Sequence, residues 1–284
     1  MVWGRWVLKG MVRVVWYTAI VLASEQVELS AQNLFADFAA RWPHRPEPVM
    51  LDTQLDLQPA TISFAVGHRE VVLADMCTPM PWSDLGQVCE WSMMWEHPEV
   101  VLRNHATHFI VTVNTGDGPI EQSRFLTEVC ASLLASCPQA LGVLWINASM
   151  LIPRELFLSS SYEARLDKLP MHLWVNCHVG VNEQGKHCGS TIGLGQLGHM
   201  DIETSDSPEP LADLYERLAG LAQYLLDNGP VIQDGDTVGE SHAERISIVY
   251  GKSLFDPERG QVMHLEYRQQ PKKKGWLSLL SSRR

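Results

Sequence analysis

The sequence has no Cys-x-x-Cys pair, although it holds six cysteines, at Cys77, Cys89, Cys130, Cys137, Cys177 and Cys188. That absence removes the usual zinc and dithiol motifs and leaves free thiols in a reducing compartment as the plain reading. No Walker-type phosphate loop and no GxSxG nucleophile elbow occur, which removes the local signatures of P-loop nucleotide hydrolysis and of α/β-hydrolase chemistry. There is no low-complexity segment. With 45% apolar and 19% charged residues over 284 positions, the chain has enough apolar surface to offset the entropy of ordering. Acids are missing from both ends. The first twenty residues hold Arg5, Lys9 and Arg13 and no acid, and residues 268–284 hold six cations and no acid. Taking those nine positive charges from the total of -11 leaves -20 for residues 21–267. Affinity for nucleic acid rests on neutralising phosphates, so an acidic body of this kind argues against DNA or RNA as partner.

The N-terminus reads two ways. Residues 1–24 are basic, then apolar from Val14 to Ala23, then end in small residues, which is the pattern of a signal peptide. Ala19 to Leu22 equally reads as a buried first strand, and Met11 as an alternative start, with a cytoplasmic location preferred. The apolar stretch is shorter than the roughly 20 residues a spanning helix needs.

Further on, Ser30 caps a helix closed by Pro43 and Pro46. Thr61–Val66 and Glu70–Met76 form two strands about the Gly67-His68 turn, and His108–Asn114 is a strand. A short helix follows Pro98. This run of strand, helix, strand, strand, helix, strand is the ferredoxin-like order. The second half predicts a helix over 120–136, strands over 140–146 and 173–179, and short strands at 190–194 and 200–204. An amphipathic helix over 210–228 follows, stopped by Asn228-Gly229-Pro230. Strands at 245–250 and 262–267 end the pattern. The expected fold class is α+β, two similar α/β-sandwich lobes with mainly antiparallel sheets and duplicated ferredoxin-like topology. The expected organisation is a leader or upstream extension at 1–18, an N-terminal lobe at 19–118, a C-terminal lobe at 119–267 and a basic tail at 268–284.

Several stretches together resemble one known family. They are PMPWSDL at 79–85, FIVTV at 109–113, GVLWINASMLIP at 142–153, LWV at 173–175, TIGLGQLG at 191–198 and NGPVIQDGDTVG at 228–239. With the last as the most specific, the chain resembles the domain of unknown function 4261 family of bacterial proteins over roughly 19–267. The resemblance implies no activity, catalytic residue or cofactor.

Candidate chemistry is sparse. Gly193, Gly195 and Gly198 spell GxGxxG. The following residues read as a strand and an acidic loop, whereas a dinucleotide site needs a helix there, and Asp201 and Glu203 would repel phosphate. A glycine-rich strand or bulge is the better reading. Asp234, Asp236, Glu240 and Glu244 form the densest acidic group. Alternate acids about a glycine can hold a hard cation, yet the spacing is not that of an EF-hand and Asp-Gly also marks a tight turn. His178 and His199 are the histidines closest to a possible site. A zinc set of His178, His187, Cys188 and His199 is conceivable only if four donors converge. Ser83 and Asp84 read as a helix cap, and Trp82 as a core anchor. No metal and no cofactor is expected.

These readings favour a non-catalytic interaction protein, an adaptor or accessory component whose acidic body binds a basic protein partner. The alternative is an enzyme or a small-ligand or metal-binding protein with its site near Asp234 and Asp236. The tail joins Lys272, Lys273 and Lys274 to Trp276 and an apolar stretch, which reads either as a basic tail that only keeps the acidic body soluble, the preferred reading, or as weak peripheral contact with an anionic membrane at about 1 kcal/mol per cation. On the membrane reading the full-length chain is expected to sediment with anionic vesicles and a chain truncated after Tyr267 to stay in solution. Equal sedimentation of the two would remove the membrane role.

Overall fold

The structure, a computed structural model, describes residues 17–54, 60–163, 168–239 and 245–267. Residues 1–16 of the leader expected at 1–18, Glu240 and Glu244 of the acidic group, and the basic tail with its expected membrane contact lie outside the described residues. The chain begins with β1 (Tyr17–Ala23), α1 (Ala31–Arg41), β2 (Pro48–Gln54), β3 (Ala60–Val66), β4 (Arg69–Asp75), α2 (Trp82–Glu90), α3 (Pro98–Leu102) and β5 (Thr107–Asn114). It continues through α4 (Pro119–Ser136), β6 (Ala140–Trp145), β7 (Met150–Pro153), α5 (Arg154–Ser161), α6 (Met171–Trp174), β8 (Asn176–Val181) and β9 (His187–Ile192). The last elements are β10 (Ile202–Ser207), α7 (Leu211–Asn228), β11 (Thr237–Val238), β12 (Ile246–Lys252) and β13 (Gln261–Tyr267). No described helix is long and apolar enough to cross a membrane.

The fold is α+β with two mainly antiparallel sheets, as the sequence predicts. The first has the order β2-β3-β4-β5-β1-β6-β7 and the second β11-β12-β13-β10-β9-β8, with β10 and β13 the parallel pair. The connectivity differs from the ferredoxin-like order, which would set β1 between β5 and β4. Here β5 lies between β4 and β1, and the other edge of β1 takes β6. The first sheet thus runs past residue 118 to Pro153, and the two sheets are not copies in strand order.

The composition of β1 accounts for its central place. Its alternate residues point to opposite faces, and both sets are apolar. Ala19, Val21 and Ala23 enter the large core with Phe38 of α1 and Phe125 of α4. Ile20 and Leu22 enter a smaller cluster with Leu85 of α2 and Leu102 of α3. The stretch readable as a signal sequence or as a strand is, over Tyr17–Ala23, a strand. Trp82 packs on the smaller cluster, with the Arg103 guanidinium 4.5 Å from its ring centre. Ser83 and Asp84 sit inside the first turn of α2, behind Pro81 at the cap position. They do not themselves cap the helix, because Pro81 already supplies the extended residue before it.

The large core passes from the first sheet through α4 to α7 and the second sheet, so the two sheets share one interior. Buried polar groups register the junction. Trp174 Nε1 donates to Thr127 Oγ1 at 2.9 Å, and Asn176 Nδ2 donates to the Ala148 carbonyl at 3.3 Å. Glu128 of α4 is fully buried. It accepts from Arg45 Nε at 2.8 Å and Nη2 at 3.0 Å, and burial pushes its carboxyl above the ordinary range while Arg45 pulls it back. Removing one member of such a pair strands the other. Arg45→Met is expected to cost about 3–5 kcal/mol in urea unfolding, and Arg45→Met combined with Glu128→Leu to recover most of it.

Candidate functional site

Gly189 of β9 faces α7, since a Cβ there would lie 2.8 Å from Leu218 Cδ1. Side chains alternate along a strand, so Ser190 faces the opposite way. Its cross-strand partners are His178 on β8 and Glu203 on β10, and the three stand in a row on the face away from α7. Over this row lies a cleft of about 1040 Å³. His178, Ser190, Gly193, Asp201, Asp256, Glu258 and Arg259 line it from the second sheet and its loops, and Trp91, Asn147 and Ser149 from the first half. Ser149 has a positive φ of 48°, a conformation that costs a non-glycine residue energy. Its carbonyl and that of Ala148 receive the Asn176 amide.

Beneath the cleft are two carboxylates taken out of water. Glu203 is 0% exposed. It accepts from Ser253 Oγ at 2.6 Å, the Leu254 amide at 2.7 Å and Arg259 Nη1 at 3.2 Å. Arg259 also donates to the Thr191 carbonyl. Asp201 is 7% exposed and accepts from Thr191 Oγ1 at 3.0 Å and the Leu194 amide at 3.1 Å. Burial raises its carboxyl above the ordinary range, and Arg259, Thr191 and the Leu194 and Gly195 amides offset this in part. The GxGxxG stretch is therefore a turn wrapped around Asp201. Strand β9 runs into a 3-10 turn over Leu194–Leu197, not into a phosphate-binding helix. Gly193 has a φ of +118°, and a Cβ on it would meet the Trp174 carbonyl at 2.4 Å, so only glycine fits.

Of the candidate ligand-binding residues Asp234, Asp236, His178 and His199, His178 lines the cleft, as do Cys188 of the conceivable zinc set and Gly193 and Gly195 of the glycine-rich stretch. The Nε2 of His178 is buried without a hydrogen-bond partner, and its ring stands edge-on to Trp91 at 6.3 Å. Burial, and then Arg259, hold its imidazole below the usual range. His199 is outside the cleft lining, in the turn before β10, with Nδ1 also unpartnered. Asp234 and Asp236 are exposed and serve their own loop. Asp234 Oδ1 accepts from the Tyr250 amide and Asp236 Oδ2 from the Gln233 amide, both at 2.8 Å, around Gly235 at φ +86°. They are turn formers, as the Asp-Gly pairing allowed. His187 Nδ1 bonds the Glu209 carbonyl and Cys188 Sγ the Gly180 carbonyl, so the conceivable zinc set is not gathered. Among the described residues no three His, Cys, Asp or Glu side chains form a group able to hold a metal ion.

Sequence reasoning did not select Asp201, Glu203, Ser190, Arg259 or Trp91 for the site. One signal was present: Asp201 and Glu203 flank the buried Ile202 at the start of β10, so both acids sit on the side opposite to it. Chemically, the cleft offers a neutral imidazole, a hydroxyl and several carboxylates, a set rich in acceptors.

Residues 190–266 match the family described as Domain of unknown function (DUF4261). The match supports the resemblance over TIGLGQLG and NGPVIQDGDTVG and stops short of the four motifs nearer the N-terminus. No curated protein and no solved structure matches the chain.

The buried imidazoles give the protein a pH dependence. His178 and His199 are both lowered by burial, so the unfolded chain takes up their protons first. Their contribution to stability is present above about pH 6.5 and is lost as the pH falls toward their folded values. Asp201, being raised, acts in the opposite sense at lower pH. The melting temperature is expected to be flat between about pH 8 and 7 and to decline from about pH 6.5 to 5.5. His178→Asn should make the decline shallower.

Proposed function

We propose that this chain is a non-catalytic interaction protein, an adaptor or accessory component whose acidic body takes a basic protein partner. The observation that carries this reading is the charge of -20 over residues 21–267. Such a field speeds encounter with a cationic surface and opposes association with anions. Local features agree. The cleft lining holds Asp201, Asp256 and Glu258 against Arg259, and Arg259 is already paired with Glu203. Trp91, Phe255 and Val181 are exposed around the mouth, and an aromatic and apolar rim beside polar groups is a common make-up for an interface.

The cysteines fit a reducing, cytoplasmic setting. All six are free, and burial raises the thiols, that of Cys89 to about 11 and that of Cys177 to about 12, which makes them poor nucleophiles near neutral pH. The alternative of a ligand or metal site at the Asp234-Gly235-Asp236 turn draws little support, because Asp234 already accepts from the Tyr250 amide of β12 and Asp236 from the Gln233 amide of its own turn.

The test is binding of a lysine- and arginine-rich decapeptide and of its aspartate- and glutamate-rich counterpart to the full-length protein by calorimetry. The basic peptide should bind at about 50 mM salt and at least tenfold more weakly at about 500 mM. Failure of the basic peptide to bind, or equal binding of the acidic one, would overturn the reading.

A further inference from the structure

We infer that the cleft over β8, β9 and β10 receives one basic side chain of the partner, a lysine ammonium or an arginine guanidinium. The inference rests on the acidic-body reading above and names the place where recognition occurs.

Three observations carry it. First, the charges at the cleft do not balance. Three carboxylates, Asp201, Asp256 and Glu258, line it with a single guanidinium, Arg259, and the buried Glu203 already pairs that guanidinium. Arg259 is engaged by Glu203 and by the Thr191 carbonyl, so an incoming anion would meet uncompensated negative charge and an incoming cation would relieve it.

Second, the row on the sheet face contains polar groups with nothing to bond. Ser190 is 8% exposed, lines the cleft and has no side-chain hydrogen-bond partner among the described residues. Its neighbour His178 has a buried Nε2 that is likewise unpartnered. A buried polar atom left without a partner is costly. The Ser190 hydroxyl, which lines the cleft, can take a bond from an incoming donor. Ammonium and guanidinium groups are such donors, and the neighbouring carboxylates favour them over an anion that the hydroxyl could otherwise bond.

Third, an aromatic ring stands at the mouth. Trp91 is 54% exposed and lines the cleft opposite His178. Exposed indole faces attract cations, and such a ring gives the alkyl stem of a lysine or arginine an apolar surface to lie on. A metal ion is a poorer occupant, since no three metal-ligating side chains converge among the described residues.

The experiment compares single replacements in the full-length protein, read as the dissociation constant of the lysine- and arginine-rich decapeptide. Glu258→Lys reverses a charge at the mouth, and Asp227→Lys makes the same change on α7, across the sheet from the cleft. Both side chains are exposed, and circular dichroism melts check that each variant is folded. Glu258→Lys should weaken binding roughly tenfold more than Asp227→Lys, and Trp91→Ala should weaken it about threefold to fivefold. Equal losses for the two charge reversals, with Trp91→Ala silent, would overturn the cleft while leaving the acidic-body reading in place. No binding by the unaltered protein would overturn that reading itself. The amides of N-acetyl-arginine and N-acetyl-lysine serve as a second arm. If either alone binds as tightly as the decapeptide, the site is one for a free small cation and the partner's side chain is rejected as its occupant.

Discussion

Two carboxylates, Asp201 just before β10 and Glu203 within it, have left water, and much of the outer side of the second sheet is arranged around keeping them supplied with donors. A buried carboxylate without hydrogen bonds would protonate or disrupt the fold. The sequence meets that demand by bending two separate segments back to β10. The 3-10 turn brings the amides of Leu194 and Gly195 to Asp201. The loop between β12 and β13 brings Ser253, Leu254 and Arg259 to Glu203. These two returning segments are also walls of the cleft, so the hydrogen bonding that makes the acids tolerable also shapes the concavity above them.

The same arrangement explains why Gly193 is required. The turn must fold tightly enough for its amides to reach Asp201, and the backbone then passes the Trp174 carbonyl where no Cβ fits. Trp174 is in turn held by Thr127 of α4. The turn is thus fixed by the core that joins the two sheets, and the cleft is as rigid as that junction. Ser149, strained and lining the first-half side, is pinned by Asn176 at the start of β8. Both sides of the cleft are therefore held from Trp174 and Asn176, at the passage from α6 into β8.

Much of the fold was legible because the strongest periodic segments are long or well bounded. The Ser30 cap is as expected, with the Asn33 amide donating to its hydroxyl, as are the β3–β4 hairpin and the Gly229 stop of α7 at φ +81°. The edge strand β2 was not anticipated. Val49, Met50 and Leu51 are all exposed on it, so it lacks the alternation that marks a half-buried strand. The expected strand over 173–179 begins instead with the helical turn α6 and becomes β8 only at Asn176, because Leu173 and Trp174 are buried through tertiary contacts and not by strand alternation. The cleft was the least legible part. The acids that stood out, Asp234 and Asp236, are adjacent in sequence because a turn needs them. Those that line the cleft come from the turn before β10 and the loop before β13, and only strand register brings Ser190 between His178 and Glu203.

The place of β1 has a consequence for how the chain is made. Val21 pairs with Phe109 on one side and with Val143 on the other, so β1 gains its first neighbour 109 − 21 = 88 residues later and its second only 143 − 21 = 122 residues later. At bacterial or eukaryotic elongation rates that wait is on the order of ten seconds, during which a strand apolar on both faces is bare. Closing such distant pairs is slow, and fragments ending before β6 would carry an open, sticky edge. Assembly of the first sheet is thereby tied to completion of its sixth strand.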